Sequence, residues 1–159
     1  MFKDISLYEK AVAKLIRRGF HISFAESCTG GLCSGALVSV ADASKVLDVS
    51  FVTYANEAKM HYLGVRKETI TDYGVVSEQV AREMASGVAK TAQSEVGVGV
   101  TGVAGPTGGT AKKPVGMVCF AVSINGAVKS YTCYFGEIGR NEVRQKSVDF
   151  VFQKLDELL

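Results

Sequence analysis

At 159 residues, 47% of them hydrophobic, the chain is long enough for one domain with a real core and too short for two comfortable ones. A formal net charge of +2 without long runs of like charge argues against a nucleic-acid stripe or an acidic tail, so small ligands are the expected partners. No stretch approaches the ~18 uninterrupted apolar residues of a membrane span, and the N-terminus mixes charged and apolar residues, so a soluble cytoplasmic protein is expected, bound neither to membrane nor to nucleic acid.

The spacing of Tyr8, Val12, Leu15 and Ile16 predicts a first helix over Ser6–Arg18, with Arg17 and Arg18 at its negative end and Gly19 as the stop. Residues 21–25 predict a strand, and Leu32, Ala36, Leu37 and Val40 recur at helical spacing after it. Between the two, AESCTGG (25–31) sets Ser27, Cys28 and Thr29 on a strand-to-helix turn followed by two glycines. Unpaired N–H groups and the positive end of the helix dipole suit a phosphate or a developing oxyanion there. The alternative is an ordinary N-cap, with Ser27 or Thr29 satisfying those donors.

Residues 43–45 form a small connection, and residues 46–54, which contain SFVTY, predict the second strand. Asn56 is expected to cap a helix running through Tyr62 and closed by Gly64, which would put Lys59 at the third helical position. The dipole disfavours an ammonium there, and burial would disfavour it further. A neutral lysine can serve as general base to a serine without any histidine, and Tyr54 at the strand end could donate or relay a proton. The plainer alternative is a surface lysine beside a strand-end tyrosine. Only two histidines are present, His21 and His61, and Cys28, Cys33, Cys119 and Cys133 lack CxxC spacing, so reduced thiols are expected and a protein metal site is not.

Residues 71–76 are expected to form a turn, and Ser77 to cap a helix in which Val80, Ala81, Met84, Ala85 and Val88 recur, with Gly87 and the alanines suggesting close packing. Residues 95–101 predict a third strand that leads into TGVAGPTGGTAKKP, a loop whose glycines let N–H groups converge on an anion. No Gly-Lys-Ser/Thr follows, so it is not a Walker A loop; a loop open to solvent is the alternative reading. GVGVTG fits GxGxxG, but its glycines fall inside the strand and a proline loop follows in place of a helix, so a dinucleotide fingerprint is discarded. Strands over 115–124 and 128–135 should meet at an Asn125-Gly126 type I′ turn, and a last helix should cover 141–158. The alternation of strands and helices, closed by a hairpin, implies one α/β domain over 1–159 with a mixed sheet covered on both faces.

AESCTGG, FVTYANEAKMHYLGV, GVVSEQVAREMASGVA and GVTGVAGPTGGTAKKPVGMVCFAV, in this order, resemble the CinA C-terminal domain family over nearly the whole chain. The resemblance implies a three-layer α/β/α sandwich. It also implies metal-free, cofactor-free deamidation of nicotinamide mononucleotide to nicotinate mononucleotide and ammonia, in pyridine-nucleotide recycling, by a homo-oligomer. Many members carry a larger nucleotide-pyrophosphatase-like domain ahead of this one; these residues do not include it, and its activity does not carry over.

The family's serine, tyrosine and lysine map onto Ser44, Tyr54 and Lys59, with Ser27 as the competing serine. Asp42-Ala43-Ser44 keeps the last serine of a Gly-Ser-Ser common in relatives but not the preceding pair. Thr29, Gly30, Thr101, Gly102, Gly105, Thr107, Gly108 and Arg140 would hold the substrate, with the glycine loop and an arginine taking the 5′-phosphate; Arg144 lies one turn beyond Arg140. Two other classes remain open. One is a non-enzymatic nucleotide- or partner-binding module of competence or DNA-damage response, and the other is an amidase for a different amide, since these residues specify an amide and a phosphate but no pyridine ring.

Overall fold

The computed structural model describes residues 4–159. In chain order the elements are α1 (Ser6–Arg18), β1 (Ile22–Glu26), α2 (Leu32–Val38), a single 3-10 turn (Ala43–Lys45), β2 (Phe51–Val52), α3 (Asn56–Leu63), α4 (Lys67–Tyr73) and α5 (Glu78–Ala92). Then follow β3 (Val96–Gly102), β4 (Met117–Ile124), β5 (Ala127–Tyr134) and α6 (Arg140–Leu158). The strands form one mixed sheet in the order β2-β1-β3-β4-β5. β1 runs parallel to both β2 and β3, whereas β4 is antiparallel to β3 and to β5.

Alternation along β3 divides the core. Val96, Val98 and Val100, with Phe24, Val118 and Phe120, meet Leu15 of α1, Leu37 of α2 and Phe152 of α6 on one face. On the other, Ala25 meets Leu63 of α3 and Val80, Met84 and Val88 of α5, while Cys119 and Ala121 meet Ala81 and Ala85. The sheet is therefore sandwiched between α1, α2 and α6 on one side and α3 and α5 on the other, as a three-layer α/β/α sandwich. All five residues of β1 are buried, the expected state of a parallel strand covered on both faces.

The glycines of GVGVTG serve this packing. A Cβ on Gly97 would lie 2.2 Å from the Ala85 carbonyl oxygen, and one on Gly99 would lie 2.3 Å from that of Ala81, so α5 can sit on β3 only over bare backbone. Gly87 plays the reciprocal part on α5, where a Cβ would come within 1.9 Å of the Leu63 carbonyl oxygen. The hairpin turn is as expected, with Asn125 at φ 49° and Gly126 at φ 85°.

Three local expectations are corrected. Residues 67–73 are helical, so the turn expected over 71–76 is half occupied by the end of α4; only Thr69 of that helix is buried, which leaves no apolar stripe to announce it. The second strand keeps just Phe51 and Val52 of the run 46–54 in the ladder. Ala55, not Asn56, is the N-cap of α3: it is extended, at φ −84° and ψ 151°, and Asn56 is already helical. Lys59 is therefore the fourth residue of the helix.

Candidate active site

Lys59 projects from the first turn of α3 toward the C-terminal ends of the parallel strands, where ligands of open α/β sheets bind. It is 1% exposed. Its Nζ donates to the carbonyl oxygens of Thr53 at 2.7 Å and Tyr54 at 3.2 Å, and to Ser27 Oγ at 3.2 Å. These two carbonyls belong to the segment that leaves the sheet after Val52, which explains why β2 stops so early. Among the described residues no carboxylate pairs with Lys59, and burial pushes its ammonium down to about 8 from 10.5. The neighbouring Cys28 thiol is itself pushed up to about 12 by burial, so it stays neutral and supplies no compensating charge. With two amine hydrogens committed to carbonyls, the third tetrahedral direction points at Ser27, where a neutral amine presents its lone pair.

Ser27 sits on the first residue past β1, with its N–H still bonded to Val100 O at 3.0 Å. The turn that follows is fixed from two sides. The buried carboxylate of Glu26 accepts from the amides of Gly31 and Cys33, both at 3.0 Å, and from the amide and hydroxyl of Ser34, at 2.9 and 3.0 Å. From α6, Arg144 donates to Cys28 O at 3.1 Å and Thr29 O at 2.9 Å. Gly31, at φ 94°, supplies the left-handed step into α2. The helix start anticipated as an anion site is thus occupied by the chain's own carboxylate. The amides of Cys28 and Thr29, next to Ser27, have no hydrogen-bond acceptor among the described residues.

A cavity of about 290 Å³ opens over Ser27, bounded by Tyr54, Arg140 and the loop after β3. Arg140, the first residue of α6, spans it by donating to Gly105 O and to the Tyr54 hydroxyl, both at 2.9 Å. The amides of Gly105, Thr107 and Gly108 donate to no atom among the described residues and edge the same space. A larger depression of about 590 Å³ between the end of α3 and α5 holds no comparable pairing of a nucleophile with a base.

Residues 4–159 match the family model of the CinA C-terminal domain. The chain belongs to the CinA family. It is 47% identical over 143 residues to a CinA-like protein of Kosmotoga olearia, a match covering 89% of this chain and 34% of that one. The chain spans about a third of the length of the curated relatives it matches. Among solved structures it is similar to the competence/damage inducible protein CihA from Agrobacterium tumefaciens, with a TM-score of 0.93, 43% identity and coverage of 98% of this chain and 96% of that one. It is likewise similar to the competence damage-inducible protein A (ComA) from Klebsiella pneumoniae, with a TM-score of 0.93, 35% identity and coverage of 97% and 95%.

Within this CinA-family domain the anticipated site residues separate into two groups. Ser27, Tyr54, Lys59, Gly102, Gly105, Thr107, Gly108 and Arg140 come together around or beneath the cavity. Ser44 does not. It lies exposed on the 3-10 turn, beside the Ile22–Leu47 bridge at the start of β1, whereas Ser27 follows the end of that strand. Five residues of strand, about 16 Å at ~3.3 Å each, separate the two ends.

Thr29 and Thr101 are buried and absent from the cavity wall; Thr29 packs beside the Cys33 thiol, and Thr101 donates its hydroxyl to Val75 O at 2.9 Å. Gly30 faces solvent beside Arg144. Arg144 has its guanidinium engaged by Cys28, Thr29 and Asn141, so it holds the turn and leaves an anion to Arg140. Glu26 also belongs to the site, and its sequence signal is an acidic residue at the end of an apolar strand, just ahead of a glycine turn and a helix.

Proposed function

We propose that this CinA-family domain is an amidohydrolase in which Ser27 attacks a carboxamide and Lys59 acts as general base. The single observation that carries the reading is the 3.2 Å approach of a buried, carboxylate-free Lys59 Nζ to Ser27 Oγ. A lysine held with its ammonium form disfavoured costs about 3 kcal/mol of folding stability at neutral pH. A domain that only binds nucleotides or partners has no use for that cost, whereas an amidase needs the neutral amine.

In the proposed reaction, neutral Lys59 takes the Ser27 hydroxyl proton as Oγ bonds to the carboxamide carbon. The resulting oxyanion is held by the free amide of Cys28, which lines the cavity beside Ser27, a role commonly worth ~3 kcal/mol for one donor. When the carbon–nitrogen bond breaks, the nitrogen takes a proton from the Tyr54 hydroxyl and leaves as ammonia. Arg140 favours this step by donating to the Tyr54 oxygen, which leaves the phenolic proton free to be given up. The ammonium of Lys59 then passes the proton it took from Ser27 to the Tyr54 phenolate, which resets Tyr54 as the acid and Lys59 as the base. A water, deprotonated by Lys59, adds to the ester carbon; the Lys59 ammonium then protonates Ser27 Oγ as the carbon–oxygen bond breaks, and the carboxylic acid gives its proton to solvent as the carboxylate.

The amides of Gly105, Thr107 and Gly108, together with Arg140, suit a phosphate at the far end of the substrate. The motif resemblance supports nicotinamide mononucleotide as the substrate and nicotinate mononucleotide as the product, and a phosphate site at this loop is compatible with both. Ammonia release from that nucleotide tests the reading. Ser27→Ala and Lys59→Ala should abolish it in folded protein, while Ser44→Ala should retain it. Wild-type turnover by Ser27→Ala would overturn the assignment, and binding without ammonia release by the wild type would favour the binding module.

A further inference from the structure

Glu26 and Lys59 are the two charged side chains in the fully buried set among the described residues, each 1% exposed, and they belong to the same site without forming an ion pair. Each instead has its polar capacity filled by the backbone around Ser27. For Glu26 the filling is complete: Oε2 takes the Gly31 and Cys33 amides, and Oε1 takes the amide and hydroxyl of Ser34. The Glu26 carbonyl also accepts from Thr53 N–H at 2.9 Å, in the segment whose carbonyls hold Lys59. One residue therefore ties the nucleophile's turn to the base's anchor.

The bond from Glu26 Oε2 to Gly31 closes a ring of backbone around Ser27, Cys28, Thr29 and Gly30. Arg144 grips the carbonyls of Cys28 and Thr29 from outside that ring. Inside it, the Gly30 amide is spent on Ser27 O at 3.1 Å, and only the amides of Cys28 and Thr29 are left without an acceptor. The same carboxylate fills the start of α2 with negative charge, which directs a substrate phosphate away from that helix and toward the loop at 105–108.

We propose that Glu26 is a positioning residue for the reaction, whose carboxylate fixes Ser27 against Lys59 and leaves the adjacent Cys28 amide free for the oxyanion. The proposal rests on the Ser27–Lys59 reading. Glu26→Gln keeps the shape but turns an NH₂ group toward amide donors, so the ring opens on one side. A misplacement of about 1 Å at a reacting atom lowers the rate about 100-fold. The loss should therefore fall on kcat, with KM for nicotinamide mononucleotide unchanged.

The experiment measures two rates in the wild type, Glu26→Gln and the milder Ser34→Ala, which removes one of the four donors. The first is ammonia release from nicotinamide mononucleotide. The second is burst acylation of Ser27 by p-nitrophenyl acetate, a phosphate-free probe whose burst amplitude counts competent sites. Circular dichroism reports the folded fraction.

The expected result is a drop in both rates per competent site, of about 100-fold for Glu26→Gln and several-fold for Ser34→Ala, with KM held. Wild-type rates per competent site in both variants would overturn the proposal, whatever happens to their melting temperatures. If the wild type acylates but releases no ammonia, and Glu26→Gln still slows acylation, the substrate assignment fails and the positioning role stands. If the wild type does neither, Ser27 is not the nucleophile and the proposal falls with it.

Discussion

Raising the pH through the titration of Lys59 is the perturbation whose size follows most directly from the structure. Burial without a carboxylate partner brings this ammonium down to about 8, so about one molecule in ten carries the free amine at pH 7, against about one in 3,000 for an ordinary lysine. Burial alone thus supplies a gain of about 300-fold in competent base. The kcat/KM for ammonia release should climb about tenfold per pH unit through the acid range and level off above about 8. The assay is steady-state ammonia release from pH 6 to 10 at constant ionic strength, with Lys59→Arg alongside. A guanidinium keeps its proton throughout, so that variant should stay inactive at every pH. A profile that keeps rising to pH 10, or one flat from 6 to 9, would refute the argument.

The same titration leaves a mark on stability, with a determined sign. Because the folded value lies below the unfolded one, the unfolded chain holds more protons between about 8 and 10.5, and stability rises with pH across that window by about 3 kcal/mol. Tyr8 and Cys28, both held up to about 12 in the fold, pull the other way at the alkaline end. Subtracting the urea-unfolding curve of Lys59→Met isolates the lysine.

Two further outcomes are expected. Arg140→Ala should raise KM for the mononucleotide about 10- to 100-fold, the loss of a charge-assisted hydrogen bond of about 1.5–3 kcal/mol, while leaving KM for the phosphate-free riboside unchanged; steady-state kinetics on the pair checks it. Gly99→Ala should destabilise the fold by about 1–3 kcal/mol in urea unfolding. Its Cβ would press on the Ala81 carbonyl of α5, 2.3 Å away, and no side-chain rotation can relieve contact with backbone.

Features with local causes were legible in the sequence. The first helix has the bounds expected, Ser6–Arg18, because an apolar stripe and a left-handed Gly19 define it without help from the rest of the chain. Ser77 caps α5 through the Val80 amide, and Asn125-Gly126 makes its turn, for the same reason. What escaped depends on partners far away in sequence. Lys59 was legible as a base for a serine, but which serine it meets was not. Lys59 and Ser27 are 32 positions apart, and nothing in NEAKMHYL fixes its lysine as interior, since Leu63 is the one other buried residue of that helix. The family resemblance maps its serine onto Ser44 with Ser27 as the competitor, and the parallel register of β1 and β2 carries Ser44 to the opposite end of the sheet from Ser27. Thr29 and Thr101 could not be told from cavity residues, because a hydroxyl turned inward and one turned to a ligand give the same sequence pattern.

The central claim, that Ser27 is acylated by the substrate, is tested most directly by acid-quenching the protein during turnover of nicotinamide mononucleotide and locating any adduct by peptide fragmentation. The account expects the nicotinate mononucleotide acyl group on Ser27, with neither adduct nor ammonia release in Ser27→Ala. An adduct on Ser44, or undiminished ammonia release from Ser27→Ala, would contradict it.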